Sequence, residues 1–130
     1  MSFKLILGTV QLGLNYGVNN YFGKPSKEKA FDILNSAYDE GIRTLDTAEA
    51  YGNSQEVIGS FMKDNKQKKF NIITKLKAEN TLTKGELVDH IFSNCKILNI
   101  ESLEGYMFHN YNSFKKSIFF VKLPKDPDSC

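Results

Sequence analysis

Hydrophobic residues follow two alternating patterns along most of this chain, short continuous runs and repeats at helical spacing. The short runs predict buried strands at residues 3–7, 42–46, 70–74 and 103–108. The segments between them carry apolar residues every three or four positions, which predicts amphipathic helices. The predicted order is β-α-β-α-β-α-β, and this alternation favours an α/β fold in which helices cover a parallel sheet.

Capping signals mark the ends of the three predicted helices. Ser26 is a favourable N-cap for the first helix, and Gly41 stands where a left-handed residue is expected to end it. The other two helices open with a polar residue followed three positions later by glutamate, which is the capping-box pattern. These pairs are Asn53 with Glu56 and Thr83 with Glu86.

Composition and charge exclude some classes of function. The 17 basic and 15 acidic residues give a net charge of only +2, which is too weak to suggest a nucleic-acid partner. No stretch approaches the roughly 20 apolar residues of a membrane helix, so we expect no membrane partner. Cys95 and Cys130 share no metal-ligand spacing, so we expect no metal site. A reduced, cytoplasmic protein is the simplest interpretation.

Four residues suited to proton transfer lie at or just after predicted strands. Asp46 ends the second strand and Tyr51 follows it in a glycine-containing loop, while Lys75 and His109 come after the third and fourth strands. Strand C-terminal ends carry the active sites of both open doubly wound sheets and (βα) barrels. Taken singly, each residue has a simpler interpretation: a loop acid, a packing tyrosine, a solvated lysine or a core histidine. Together, at consecutive strand ends, they favour one shared site.

The motifs that carry these residues resemble those of a known enzyme family. Residues 45–54 read LDTAEAYGNS, and the later segments IITKL and YMFHN supply the lysine and the histidine. These motifs, with the opening LGTVQLGLNYG, resemble the aldo-keto reductase family over roughly residues 3–112. Pattern alone leaves an open doubly wound sheet and a barrel equally possible, and the resemblance implies a TIM barrel. It also implies an oxidoreductase that uses NADPH or NADH to reduce a small-molecule aldehyde or ketone.

The resemblance implies a role for each of the four residues. A free tyrosine has a pKa of about 10 and is a weak acid at neutral pH, and a nearby ammonium group stabilises its phenolate. Tyr51 would therefore be the general acid, with Lys75 beside it as the stabilising cation. Asp46 would hold the lysine in place, and His109 would orient the substrate carbonyl by a hydrogen bond.

The resemblance also implies cofactor contacts at the end of the first strand. Gly8 and Thr9 match the strand end that lies against the nicotinamide in the family, and Asp46 would share that surface. A glycine there allows close approach of a flat ring, although a plain strand-to-loop turn explains it equally well. The sequence lacks the GxGxxG pattern of the Rossmann fingerprint.

The pattern changes near residue 112. A full barrel takes about 250 residues, so residues 1–112 are expected to be the N-terminal half of a barrel, with about four βα units. Residues 113–130, which contain Pro124 and Pro127, are expected to be an atypical tail, irregular or a short edge strand. Two hypotheses follow: a truncated reductase, or a catalytically inactive half-barrel fragment or assembly module without cofactor binding. Open sheet edges favour self-association in either case.

Overall fold

Strands and helices alternate along the part of the chain that the computed structural model describes, residues 4–77 and 82–117. The strands are β1 (Ile6–Gly8), β2 (Thr44–Asp46), β3 (Asn71–Leu76) and β4 (Gly105–Phe108). The helices are α1 (Val10–Gly13), α2 (Lys27–Asp39), α3 (Ser54–Asp64), α4 (Lys84–Leu98) and α5 (Tyr111–Ser117). The predicted alternation of strands and helices is confirmed.

The four strands form one parallel sheet in the order β1-β2-β3-β4. In its register Gly8 lies opposite Asp46, Asp46 opposite Ile73, and Lys75 opposite Met107. Each strand therefore pairs with the next one along the chain, and the predicted parallel α/β class is confirmed. Because all strands run in the same direction, their C-terminal ends share one edge of the sheet.

The two faces of the sheet have different surroundings. One face packs under the helices in a buried apolar cluster, whose members include Leu34, Leu45, Ile58, Phe61, Ile72 and Leu98. On the opposite face, Ile6 and Met107 are 51% and 43% exposed. Since side chains alternate across a strand, Asp46 and Lys75 fall on this open face, next to the buried Leu45 and Leu76.

Two of the three predicted N-caps form as expected. The Ser26 hydroxyl accepts a hydrogen bond from the Lys29 N–H at 3.2 Å, and Thr83 with Glu86 forms a complete capping box on α4. Asn53 occupies the N-cap position of α3 but makes no side-chain capping bond. Its amide oxygen accepts a hydrogen bond from the Lys24 ammonium group instead.

The strand boundaries and the first helix differ from the prediction. β3 continues two residues beyond the predicted end at residue 74, so Lys75 lies within the strand rather than after it. β2 begins two residues later than predicted, at Thr44. Helix α1 was not predicted, because its four residues are too few to show a helical repeat. No described helix is both long and apolar enough to cross a membrane.

The expectation of an irregular tail or edge strand from residue 113 is wrong for residues 113–117, which lie in α5. The Asn110 side chain accepts a hydrogen bond from the Ser113 N–H at 2.9 Å, and this interaction starts the helix. Phe114 then packs edge-on against Phe108 of β4, with ring centroids 5.6 Å apart. The remainder of the predicted tail, with Pro124 and Pro127, lies outside the described residues.

Candidate active site

The structure brings three of the four candidate residues into direct contact through the Lys75 ammonium group. Its nitrogen donates hydrogen bonds to the carboxylate of Asp46, to the Thr47 carbonyl at 3.0 Å and to the Tyr51 hydroxyl at 3.5 Å. An ammonium group has three N–H donors, so each has a partner. The sequence spacing alone does not show this arrangement, since 29 positions separate Asp46 from Lys75.

The ion pair is partly withdrawn from water. The Lys75 side chain is only 14% exposed, and that of Asp46 is 36% exposed. A buried ammonium group requires a counter-charge, which the Asp46 carboxylate supplies. The Lys75 nitrogen also lies 5.1 Å from the centre of the Tyr51 ring. The ammonium charge therefore lies next to the tyrosine oxygen.

His109 joins the site through a ring contact with Tyr51. It is the first residue after β4, and its ring lies edge-to-face with Tyr51 at a centroid distance of 6.0 Å and an interplanar angle of 82°. That distance is within the usual range for interacting aromatic rings. His109 is exposed to solvent.

Two glycines allow the loop that carries Tyr51 to contact α1. A side-chain carbon at Gly13 would lie 1.7 Å from the Tyr51 carbonyl oxygen, and one at Gly52 would lie 2.2 Å from the Gly13 carbonyl. Gly52 also has a φ of +55°, a conformation that glycine adopts without strain. Sequence analysis missed this contact because the two glycines lie on different elements.

A cluster of buried hydroxyl groups holds the end of β2. The Thr9 hydroxyl donates to the Asp46 carbonyl at 3.0 Å. The Ser54 hydroxyl lies 3.0 Å from the Thr9 hydroxyl and 3.1 Å from that of Thr47. All three side chains are at most 1% exposed. The Thr9 hydroxyl therefore supports the backbone of Asp46, and the predicted contact of Thr9 with a cofactor stays a prediction.

Gly8 leaves open space at the end of β1. A side-chain carbon built at this position would meet nothing within 4 Å, and the residue lies directly opposite Asp46 in the sheet. The end of β1 therefore leaves open space beside the ion pair. Among residues 4–77 and 82–117, no three His, Cys, Asp or Glu side chains converge in a way that could hold a metal ion.

A second polar group of side chains adjoins the site and was not singled out from the sequence. We call it the Glu49 cluster, and it consists of Glu49, the Lys77 backbone N–H, and the side chains of His90, Asn94 and Tyr106. The one available signal was that Glu49 lies in the same loop as Tyr51. Its partners come from β4, from α4 and from the end of β3.

Comparison with protein families gives a clear match. The model of the family described as "Aldo/keto reductase family" matches residues 4–116. A protein of Schizosaccharomyces pombe named "Putative aryl-alcohol dehydrogenase C977.14c" is 42% identical over 65 residues, which is 46% of this chain and 17% of that protein.

Solved structures show the same similarity at the level of the fold. A "putative aldo-keto reductase" from Pseudomonas aeruginosa has a TM-score of 0.67 and 27% identity, over 82% of this chain and 42% of its own. An aldo-keto reductase enzyme from a Medee basin deep-sea metagenome library has a TM-score of 0.60 and 20% identity, over 89% and 38% of the two chains. This chain thus spans about two fifths of these structures, and the sheet is part of a TIM barrel.

Proposed function

Since this chain belongs to the Aldo/keto reductase family, we propose that it acts as an oxidoreductase that reduces an aldehyde or ketone with NADPH or NADH. The contact of the Lys75 ammonium group with both Asp46 and the Tyr51 hydroxyl carries the proposal. That arrangement supplies a proton donor whose anion is stabilised at the moment it forms.

The residues of the chain would act on the carbonyl group as follows. A bound nicotinamide supplies the hydride that goes to the carbonyl carbon. As negative charge develops on the carbonyl oxygen, Tyr51 donates its hydroxyl proton to that oxygen and the alcohol forms. The Lys75 ammonium group stabilises the phenolate that remains, and Asp46 keeps the ammonium group in place. His109, whose ring packs against that of Tyr51, would donate a hydrogen bond that orients the carbonyl oxygen. Water then returns a proton to Tyr51.

Gly8 and Asp46 are the residues proposed to lie against the cofactor. The open space in front of Gly8 supports this assignment, since Gly8 lies opposite Asp46 in the sheet. A fluorescence titration of the purified chain with NADPH, and with NADH in parallel, tests it. Saturable binding of either dinucleotide supports the proposal. Absence of binding up to millimolar concentrations would favour the alternative of a catalytically inactive half-barrel.

Removal of the Tyr51 hydroxyl tests the chemistry. In Tyr51→Phe the ring remains but no proton can be donated, so turnover should fall by at least about 100-fold, the usual contribution of a general acid. Tyr38→Phe is a matched control, since Tyr38 lies in α2 and, among the described residues, its hydroxyl bonds to the Gln67 carbonyl at 3.4 Å and to no residue of the candidate site. Equal turnover in the two variants would contradict the role of Tyr51.

The open face of the sheet supports a further proposal about assembly. In the described part of the chain, β1 and β4 each pair on one side, and the exposed Ile6 and Met107 lie on the uncovered face. We propose that the 130-residue chain associates with a second copy through this face. Light scattering after size exclusion should show a mass that rises with concentration, and a constant monomer mass would contradict the proposal.

A further inference from the structure

The carboxylate of Glu49 is held by donors from three separate elements. It accepts hydrogen bonds from the Tyr106 hydroxyl of β4 at 2.6 Å, from the Asn94 amide of α4 at 2.7 Å and from the Lys77 backbone N–H at 2.9 Å. His90 of α4 lies further away, with its Nδ1 3.5 Å from the carboxylate. The Glu49 side chain is 15% exposed, so these groups replace most of the water around it.

The hydrogen bonds keep Glu49 ionised. Burial alone would raise the pKa of Glu49, but the bonds from Tyr106, Asn94 and the Lys77 N–H together hold that pKa below its ordinary value. The pKa of Tyr106 is raised, first by burial and then by its bond to the carboxylate, so Tyr106 remains a proton donor. A buried charge of this kind is stable only while its partners stay in place.

Glu49 connects the loop of Tyr51 to the end of the strand that carries Lys75. Its backbone N–H donates to the Lys75 carbonyl at 3.1 Å, and its carboxylate accepts from the Lys77 N–H. Tyr51 follows two residues later, and its own N–H donates to the Ala48 carbonyl at 3.1 Å. A displacement of Glu49 would therefore move the tyrosine relative to the lysine.

The Glu49 cluster lies on the helix-covered side of the sheet. Tyr106 is paired in register with Thr74, whose side chain is fully buried, whereas Lys75 faces the open side. The Tyr106 side chain that binds Glu49 and the Lys75 side chain therefore lie on opposite faces of the sheet.

We infer that Glu49 is a positioning residue: its carboxylate clamps the loop of residues 47–53 to β3, β4 and α4 and so keeps the Tyr51 hydroxyl within reach of the Lys75 ammonium group. This inference adds a role for Glu49 to the proposed carbonyl reduction and rests on that proposal. Three donors from different parts of the chain bind one carboxylate. They hold the loop more rigidly than the backbone hydrogen bonds of the loop do alone. Positioning of this kind is the usual reason for large catalytic effects of residues outside the reacting centre.

The variant Glu49→Gln tests the inference. It preserves the shape of the side chain but offers one oxygen to three donors, so the clamp loosens. We expect kcat for carbonyl reduction to fall by about 10- to 100-fold, with KM changing by less than about threefold. Amide hydrogen exchange at Tyr51 and Lys77 should accelerate in the same variant, because their bonds depend on the clamped loop.

Glu86→Gln is the matched control. Glu86 is also a carboxylate that accepts a backbone hydrogen bond, from the Thr83 N–H at 2.6 Å, but it caps α4 and has no contact with the loop of Tyr51. This variant should keep wild-type kcat and wild-type exchange at Tyr51. If Glu49→Gln does not fold, Tyr106→Phe removes one of the three donors and should produce a smaller change in the same direction.

The two readouts separate failure of this inference from failure of the proposed function. If the unmodified chain reduces no carbonyl compound, the proposed function fails, and exchange at Tyr51 still tests the clamp. If the amide of Tyr51 exchanges at the wild-type rate in Glu49→Gln, the inference that Glu49 holds the loop in place is overturned. If exchange is faster but kcat is unchanged, Glu49 holds the loop but does not position Tyr51 for catalysis, and the inference is overturned. Faster exchange with reduced kcat and a nearly constant KM supports it.

Discussion

Gly13 lies against the backbone of Tyr51, and its replacement by alanine should disturb the candidate active site from outside it. The new side-chain carbon would lie 1.7 Å from the Tyr51 carbonyl oxygen and 2.7 Å from the Ser54 nitrogen. Ordinary contact begins near 3.4 Å, so the two backbones must separate by about 1.7 Å. No side-chain rotation can relieve the contact, because the opposing atoms belong to the main chain.

This displacement should affect both stability and catalysis. Overpacking of this kind costs typically about 1–3 kcal/mol of unfolding free energy. The Tyr51 hydroxyl lies 3.5 Å from the Lys75 nitrogen, so a shift of the loop by more than 1 Å separates the pair. Misplacement by about 1 Å can reduce turnover by about 100-fold. We therefore expect Gly13→Ala to lose stability in urea titration and most of its activity per folded molecule.

Two other glycines provide controls for this experiment. A side-chain carbon at Gly59 would lie 2.0 Å from the Ile97 carbonyl oxygen, so Gly59→Ala should lose a similar amount of stability. Because this clash lies between α3 and α4, the variant should keep its activity per folded molecule. A side-chain carbon at Gly85 would meet nothing within 4 Å, so Gly85→Ala should be neutral or up to about 1 kcal/mol more stable. If Gly13→Ala matched the unmodified chain in both measurements, the argument from backbone contact would be refuted.

Two further predictions concern stability. Because the folded pKa of Glu49 lies below its ordinary value of 4.5, its contribution to stability is complete above that value and is lost as pH falls through the folded pKa. Acid unfolding monitored by circular dichroism should therefore depend less steeply on pH in Glu49→Gln, and an identical dependence would argue against the bonded carboxylate. Thr83→Ala should cost about 1 kcal/mol in urea titration, since Thr83 completes a capping box. Asn53→Ala should cost less, because Asn53 makes no capping bond, and equal losses would contradict this difference.

Local sequence patterns were sufficient for the class of fold, the four strands and the three longer helices, but not for the short helices α1 and α5. The apolar runs and helical repeats correctly predicted four strands joined by helices, and the parallel sheet follows from that alternation. Ser26 and Thr83 acted as the N-caps that their positions predict, because capping depends on residues three positions apart. The placement of Asp46 at the end of the second strand and of Tyr51 in the loop after it was also readable, since both lie in one continuous segment.

Tertiary structure decided how the candidate site is built. The contacts that join Lys75 to Asp46, Gly13 to Tyr51 and Glu49 to Tyr106 connect residues that are far apart in sequence. Such contacts depend on the strand register and on how closely two elements approach, and neither leaves a periodic signal in the sequence. A one-residue change of register would turn Lys75 to the buried side of the sheet. Residue types and their order therefore came from the sequence, while the distances that make them a site came from the packing of the sheet and its helices.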